Sequence, residues 1–410
     1  MPYRPSNVKD TIVQIRDVNE LMLDFAYSSI LFSEEHFGEE VLELMKTMEE
    51  LIFSGRVAVM LSARGMKETK SLTGVLQFFD SSMQIGTVAV DLAKIELADI
   101  GLPRAFIQTL HFVEETLTGV IVPSDSKAVS TNVDDIEKNT GMRLIAIKKR
   151  SGQWIFDPSD TIVIKDNDKL FAKGPFEALS NFEIFITGHS DVFPNLSEIR
   201  EEQKELREIR DTLIEMMSLS QLSVDLAFSS VIFNSQDIAE EVSRIEDKLE
   251  LLRSDLETKV LLYGKKVEDI KPLRGLIRLA YTSEKLSDAS KAISDLVSQG
   301  IGTHPVLLYA MKKADEIITR LQVGRGSIID GKSISEANLE ADMGIDIIAV
   351  YKENQGRWIY NPKGDVVFEP NDILIAKGDS ESERRLAQVV YSSQPEAESR
   401  SLPSSSLLSM

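Results

Sequence analysis

Residues 8–115 and 197–316 carry apolar side chains three and four positions apart, with charged residues between them. That spacing lines one face of an α-helix. Leu21, Phe25, Ser28 and Phe32 make one stripe, and Val41, Leu44, Met48 and Leu51 make the next. Each stretch predicts three long helices and one short one. The short helix opens after a glycine with proline in its first turn, GLP at 101–103 and GTHP at 302–305. Proline lacks the N–H that would be unpaired there anyway. Residues 116–188 and 317–394 read differently, as short β-branched runs bounded by turn residues. The first set is 119–122, 144–147, 154–156 and 169–172; the second is 327–329, 347–350, 358–360 and 372–376. A short helix, 133–139 or 335–342, separates the first two runs and stops at Gly141 or Gly344, where glycine supplies a left-handed residue. Each set predicts a small α+β module. A module of about 70 residues buries too little surface to stand comfortably alone, so docking or dimerisation is expected.

The two halves are copies. DFAYSSILF at 24–32 returns as DLAFSSVIF at 225–233, with five of nine positions identical at a shift of 201. Glu39-Glu40-Val41 returns as Glu240-Glu241-Val242 at the same shift, and the segments beginning Gly152 and Ala172 return at Gly356 and Ala376, a shift of 204. Several matches in one order indicate a tandem duplication of a unit of about 200 residues. The expected domains are 8–115, 116–188, 197–316 and 317–394, followed by a Ser-rich disordered tail at 395–410. The charged stretch REEQKELREIR (200–210) reads as the solvated start of the next helix.

Composition narrows the function. The 410 residues hold 46 Lys and Arg against 66 Asp and Glu, a formal charge of −20. Such a chain repels phosphate backbones, so no nucleic-acid partner is expected. Cysteine is absent, which removes disulfides, thiolate metal sites and a cysteine nucleophile. No unbroken run of 18 apolar residues occurs, so no spanning helix is expected. The start, MPYRPSNVKD, does not read as a secretory signal. A cytoplasmic protein is the expectation.

No catalytic apparatus is visible, and an enzyme is not expected. The four histidines are scattered, and HFVEE at 111–115 lacks the second histidine of a zincin. The pair Gly324/Gly326 has no third glycine, and the pair Gly300/Gly302 follows a helix, so neither makes a dinucleotide loop. No cofactor is expected.

The small modules carry a family pattern. It runs GSIIDGKSISEANL (326–339), GIDIIAV (344–350), GRWIYNP (356–362) and NDILIAKG (371–378). This resembles the TrkA C-terminal domain, also called the RCK C-terminal domain, of potassium channel and transporter regulators. In the first module Gly141, Trp154, Pro158, Asp168 and Gly174 fit, while SKAV at 126–129 departs from the pattern. The helical parts, with 24–32 and 225–233 followed by acidic helices, resemble PhoU three-helix bundles. The resemblance implies an α+β multidomain fold: two PhoU-like antiparallel bundles alternating with two TrkA-C modules.

In TrkA-C dimers the small helix and the strand after it commonly form the two-fold face, and some members bind cyclic di-AMP across it. The positions here are Ile136, Glu137, Arg143 and Leu144 in the first module, and Leu339, Glu340, Asp346 and Ile347 in the second. Glu137 and Glu340 stand where the nucleotide-binding members resemble one another in an arginine. Two glutamates oppose a doubly anionic cyclic dinucleotide, which favours a structural interface over that ligand. The duplication suggests pairing of the two modules within one chain, or homodimerisation, with Arg143 and Asp346 opposite in sign. Metal-binding PhoU proteins use Glu-x-x-x-Asp on a helix, which puts both carboxylates on one face. Glu284 and Asp288 fit; the positions aligned with them at a shift of 204, Asp80 and Gln84, do not. Asp91 and Asp295 recur at that shift, yet solvated acids are the ordinary reading and no metal is assigned. Trp154 and Trp358 are expected to pack in a core or interface.

The resemblance implies a non-enzymatic regulatory subunit of potassium or other cation transport, with a membrane channel or transporter as partner. It would sense a small ligand or partner through paired TrkA-C modules. Alternatives are a PhoU-like regulator linked to phosphate or metal, and a ligand-free scaffold.

Overall fold

Helices α1 (Val8–Phe32), α2 (Glu35–Ser62) and α3 (Met66–Leu97) pack on one another as the first bundle. Each turns its apolar stripe inward; Ile12, Ile15, Val18, Met22 and Phe25 of α1 are all fully buried. The computed structural model describes residues 7–32, 35–62, 66–98, 102, 116–156, 158–190, 204–267, 270–271, 273–299, 305–307, 317–339, 343, 345–360, 362–378 and 380–391. The predicted short helix after Gly101 and the Ser-rich tail lie outside these residues. Of its counterpart, residues 305–307 are described, and they are helical. The chain divides into two compact units, Met1–Ala314 and Asp315–Met410.

In the first unit, strand β1 (Thr116–Ile121) leads to α4 (Val133–Thr140), β2 (Arg143–Lys148), β3 (Trp154–Phe156), β4 (Lys169–Gly174) and α5 (Phe176–Thr187). The strands form an antiparallel sheet in the order β1-β4-β2-β3. Asn132 caps α4 through a side-chain bond from the Asp135 N–H (2.7 Å), and Gly141 at φ 75° ends it. One sheet face joins α4 and α5 in a core containing Ile136, Met142, Leu144, Leu170 and Phe182. Helix α5 was not expected from the sequence, although Leu179, Phe182 and Ile186 are spaced for a helix and buried.

The second bundle comprises α6 (Lys204–Phe233), α7 (Gln236–Gly264) and α8 (Leu273–Ser298). By length and composition alone, α6 is long and apolar enough to cross a membrane, with an 18-residue window of mean hydropathy 1.4. That window is 78% buried inside the protein, as a core helix is.

Helices α3 and α8 pack antiparallel across the two bundles. The Gln77 side-chain N–H donates to the Ala292 carbonyl (3.0 Å), and Arg278 approaches Asp91 (3.8 Å). Adding 201 to Gln77 gives Arg278, and adding 201 to Asp91 gives Ala292. The two contacts are therefore images under a pseudo-two-fold axis. Burial obeys the same register: Val75, Phe78, Phe79, Ser82, Ile85 and Leu92 match Leu276, Leu279, Ala280, Ser283, Leu286 and Ile293, all buried. This corrects the shift of 204 used to align the helical acids. Glu284 corresponds to Met83, Asp288 to Thr87 and Asp295 to Lys94.

The second unit repeats the small module with β5 (Ile317–Gln322), α9 (Ile334–Ala337), β6 (Asp346–Lys352), β7 (Arg357–Tyr360), β8 (Ile373–Gly378) and α10 (Ser380–Tyr391). The sheet order is β5-β8-β6-β7, again antiparallel. Residues 327–329 are not the first strand. They lie in a turn held by bonds from Ser327 N to Gly324 O and from Asp330 N to Ser327 O. Helix α9 closes at Ala337, where Asn338 adopts φ 47°, and the described residues Leu339 and Met343 beyond it are again helical. Ser333 and Glu336 close its start as a capping box.

Candidate functional site

The first sheet's second face is where module and bundle meet. In a strand, alternate side chains point to opposite faces. Leu170 and Ala172 enter the module core, so Phe171 points the other way, toward α1. Its ring centroid lies 4.6 Å from that of Phe25 and 5.4 Å from that of Trp154. Phe25 also touches Phe37 of α2 at 5.6 Å. Two lysines from the sheet and two glutamates from α2 then close the seam. Glu40, 7% exposed, accepts from Lys148 (2.7 Å) and Lys169 (3.0 Å). Glu43 takes a second bond from Lys148 (2.6 Å). Burial would pull the Lys148 ammonium down, but its bonds to Glu40 and Glu43 outweigh that and raise it. Lys148 also lies 5.2 Å over the Trp154 ring and Lys169 5.0 Å over that of Phe171.

Gly119 permits this fit. A Cβ there would stand 2.9 Å from the Phe171 ring and 3.3 Å from His36. Burial and the nearby Lys169 charge depress the His36 imidazole, against a smaller opposite pull from Glu40. The second copy has Arg320 in place of Gly119, Ile375 for Phe171 and Tyr351 for Lys148. The seam's chemistry thus belongs to the first module. Sequence reasoning missed it because Glu40 and its lysine partners are more than 100 residues apart.

The positions expected at the TrkA-C face divide by burial. Ile136, Leu144, Leu339 and Ile347 stand in their modules' cores. Glu137 turns its carboxylate onto the Leu144 N–H (2.7 Å), next to the β-bulge between Leu144 and Ala146. Arg143 and Asp346 are exposed at equivalent strand starts, opposite Lys173 and Lys377 respectively. Glu340 lies outside the described residues. Trp154 and Trp358 occupy equivalent rungs, opposite Lys148 and Tyr351, and Trp358 packs on Tyr351 at 5.3 Å.

A second element repeats in both modules. Lys149 bonds Asp168 (2.7 Å), and Lys352 bonds Asp372. Each aspartate also accepts a backbone N–H three residues back, from Lys165 or Glu369 (2.9 Å each). These pairs lock the turn before the last strand. Glu284 and Asp288 are engaged by Arg253 (2.6 Å) and by Lys285. Burial raises the Glu284 carboxyl despite Arg253. Among the described residues no cluster of three or more His, Asp or Glu is arranged to hold a metal.

The TrkA-C domain family model matches residues 117–186 and 318–390, so both small modules are TrkA-C domains. Over 96 residues the chain is 27% identical to the phosphate-specific transport system accessory protein PhoU homolog of Aquifex aeolicus (strain VF5). That stretch covers 22% of this chain and 43% of the relative, so the chain matches less than half of that protein's length. Among solved structures, PhoU from Pseudomonas aeruginosa aligns at 10% identity and TM-score 0.39, over 71% of this chain and 93% of that one. The GsuK RCK domain aligns at 12% identity and TM-score 0.18, over 68% and 64%. The chain combines two TrkA-C domains with a 96-residue stretch similar in sequence to a PhoU homologue. The families found are those of regulatory, non-enzymatic domains.

Proposed function

We propose that the protein is a cytoplasmic, non-enzymatic regulatory subunit of potassium or related cation transport. It senses a small ligand or a membrane partner through its TrkA-C modules. The observation that carries this reading is the occurrence of two TrkA-C domains, one after each helical bundle. The seam at Glu40 supplies a physical route for the signal. A shift of the first sheet displaces Phe171, Lys148 and Lys169, and α1 and α2 follow. Coupling of this kind requires a ligand that binds two arrangements with different affinity. Pairing of TrkA-C modules, within a chain or between two copies, is part of the proposal. Reversal of charge at Arg143 or Asp346 tests it by the oligomeric state and by ligand affinity.

The direct test is a thermal-shift titration of the full chain with cyclic di-AMP, ATP, K⁺ and Mg²⁺, since binding to the native state raises its melting temperature. A saturable rise with one of them supports sensing. No rise, with stable capture of a cation channel or transporter, moves the reading to a ligand-free scaffold. The PhoU likeness favours a second reading, a regulator linked to phosphate supply or metal. A phosphate-dependent phenotype of a deletion strain, with potassium uptake unchanged, would select it.

A further inference from the structure

The pseudo-two-fold axis between the bundles is broken at one place. On one side the Tyr27 hydroxyl lies 3.1 Å from Ser220 Oγ and also bonds Ser283. Subtracting or adding 201 gives the image of this group: Phe228, Asn19 and Ser82. There the ring has no hydroxyl. Arg16 lies 6.0 Å from the Phe228 centroid and Phe78 lies 6.2 Å from it. Asn19 follows Arg16 by three residues on α1, and Ser82 follows Phe78 by four on α3, so each shares a helix face with a residue beside this ring. Asn19, Ser82 and Phe228 are fully buried. The nitrogen and oxygen of the Asn19 side-chain amide and the Ser82 hydroxyl lack a hydrogen-bonding partner among the described residues.

Buried polar groups left unpaired cost more than they contribute. Three of them around the missing phenol oxygen match the needs of one buried water, which takes two to four polar partners. A small anion is the competing occupant. Arg16 does not call for one, because its guanidinium bonds Glu20 (3.2 Å). We infer that an ordered water molecule, held by Asn19 and Ser82 beside Phe228, takes the place of the Tyr27 hydroxyl in this half of the inter-bundle seam.

Two variants and a density map test this on the full chain. Phe228→Tyr puts an oxygen where the water sits, and the melting temperature should rise by about 2–4 °C. Asn19→Leu should lower it by a similar amount, because the water loses its main partner. A dry site gives the opposite sign for Asn19→Leu, since removing an unsatisfied amide then stabilises. That result, or a fall in melting temperature for Phe228→Tyr, overturns the inference. A high-resolution crystal structure should show one spherical peak within hydrogen-bond reach of Asn19 and Ser82. No peak, or a peak with the anomalous signal of bromide after exchange, also overturns it.

Discussion

Glu40 is a single carboxylate shared by two lysines at a buried seam. Removing one partner of such a group leaves the other charges poorly compensated. Glu40→Gln is expected to destabilise the chain by about 2 kcal/mol, below the fully buried case because both lysines keep some solvent. Urea melts check this, and an unchanged midpoint would remove Glu40 from the seam's energetics. Tyr27 gives a pH signature. Burial pushes its phenol up to about 12, with the bonds to Ser220 and Ser283 pulling partly back. A raised folded pKa means the native state holds its proton longer than the unfolded chain, where tyrosine titrates near 10. Stability from this group is full below about pH 10 and is lost progressively up to about 12. Tyr27→Phe should flatten that alkaline slope while lowering stability at neutral pH, where Ser220 and Ser283 lose a partner. Thermal melts from pH 8 to 11.5 measure both effects; parallel slopes for the two proteins would contradict this assignment. Lys352, buried with Asp372, makes a third case. Lys352→Met should destabilise by about 3–5 kcal/mol, and adding Asp372→Leu should restore part of it.

At the scale of elements, local chemistry explains most starts and stops. Asn132→Ala removes the α4 cap and should cost about 1 kcal/mol in chemical denaturation. The strand error in the second module is instructive. Ser327, Ile328 and Ile329 have strand composition, but Gly326 at φ 72° and the bonds back to Gly324 fold them into a turn. The true strand, Ile317–Gln322, was legible by another route. It is the image of Thr116–Ile121 at the shift of 201 that the bundles obey. The helical acids were misaligned for a related reason, because a shift of 204 suits only the last two strands of each sheet and not the helices. Gly119 shows a limit of pattern reading. Its strand position is plain in the sequence, but its need to be glycine comes from Phe171 and His36 on the other side of the seam. Gly119→Val should loosen the first sheet from α1 and α2. Faster proteolysis after residue 116, with both bundles intact, is the expected result; wild-type resistance would argue against this docking role.

For the whole molecule, the duplication, the alternation of bundles with small sheets and the absence of cysteine and catalytic motifs were all readable from one sequence. Repeats and periodicity are local or translational signals, and they survive without coordinates. That the first small module docks on the first bundle was not readable. Glu40 meets Lys148 and Lys169 only because a sheet face and a helix face converge, and no spacing along the chain encodes that meeting. The pseudo-two-fold contact of the bundles, and its break at Phe228, likewise required folded helices. The covalent order of residues determines which faces are apolar and where elements begin and end. Only tertiary packing decided which faces met, because burial and ion pairing act between surfaces that the chain keeps far apart.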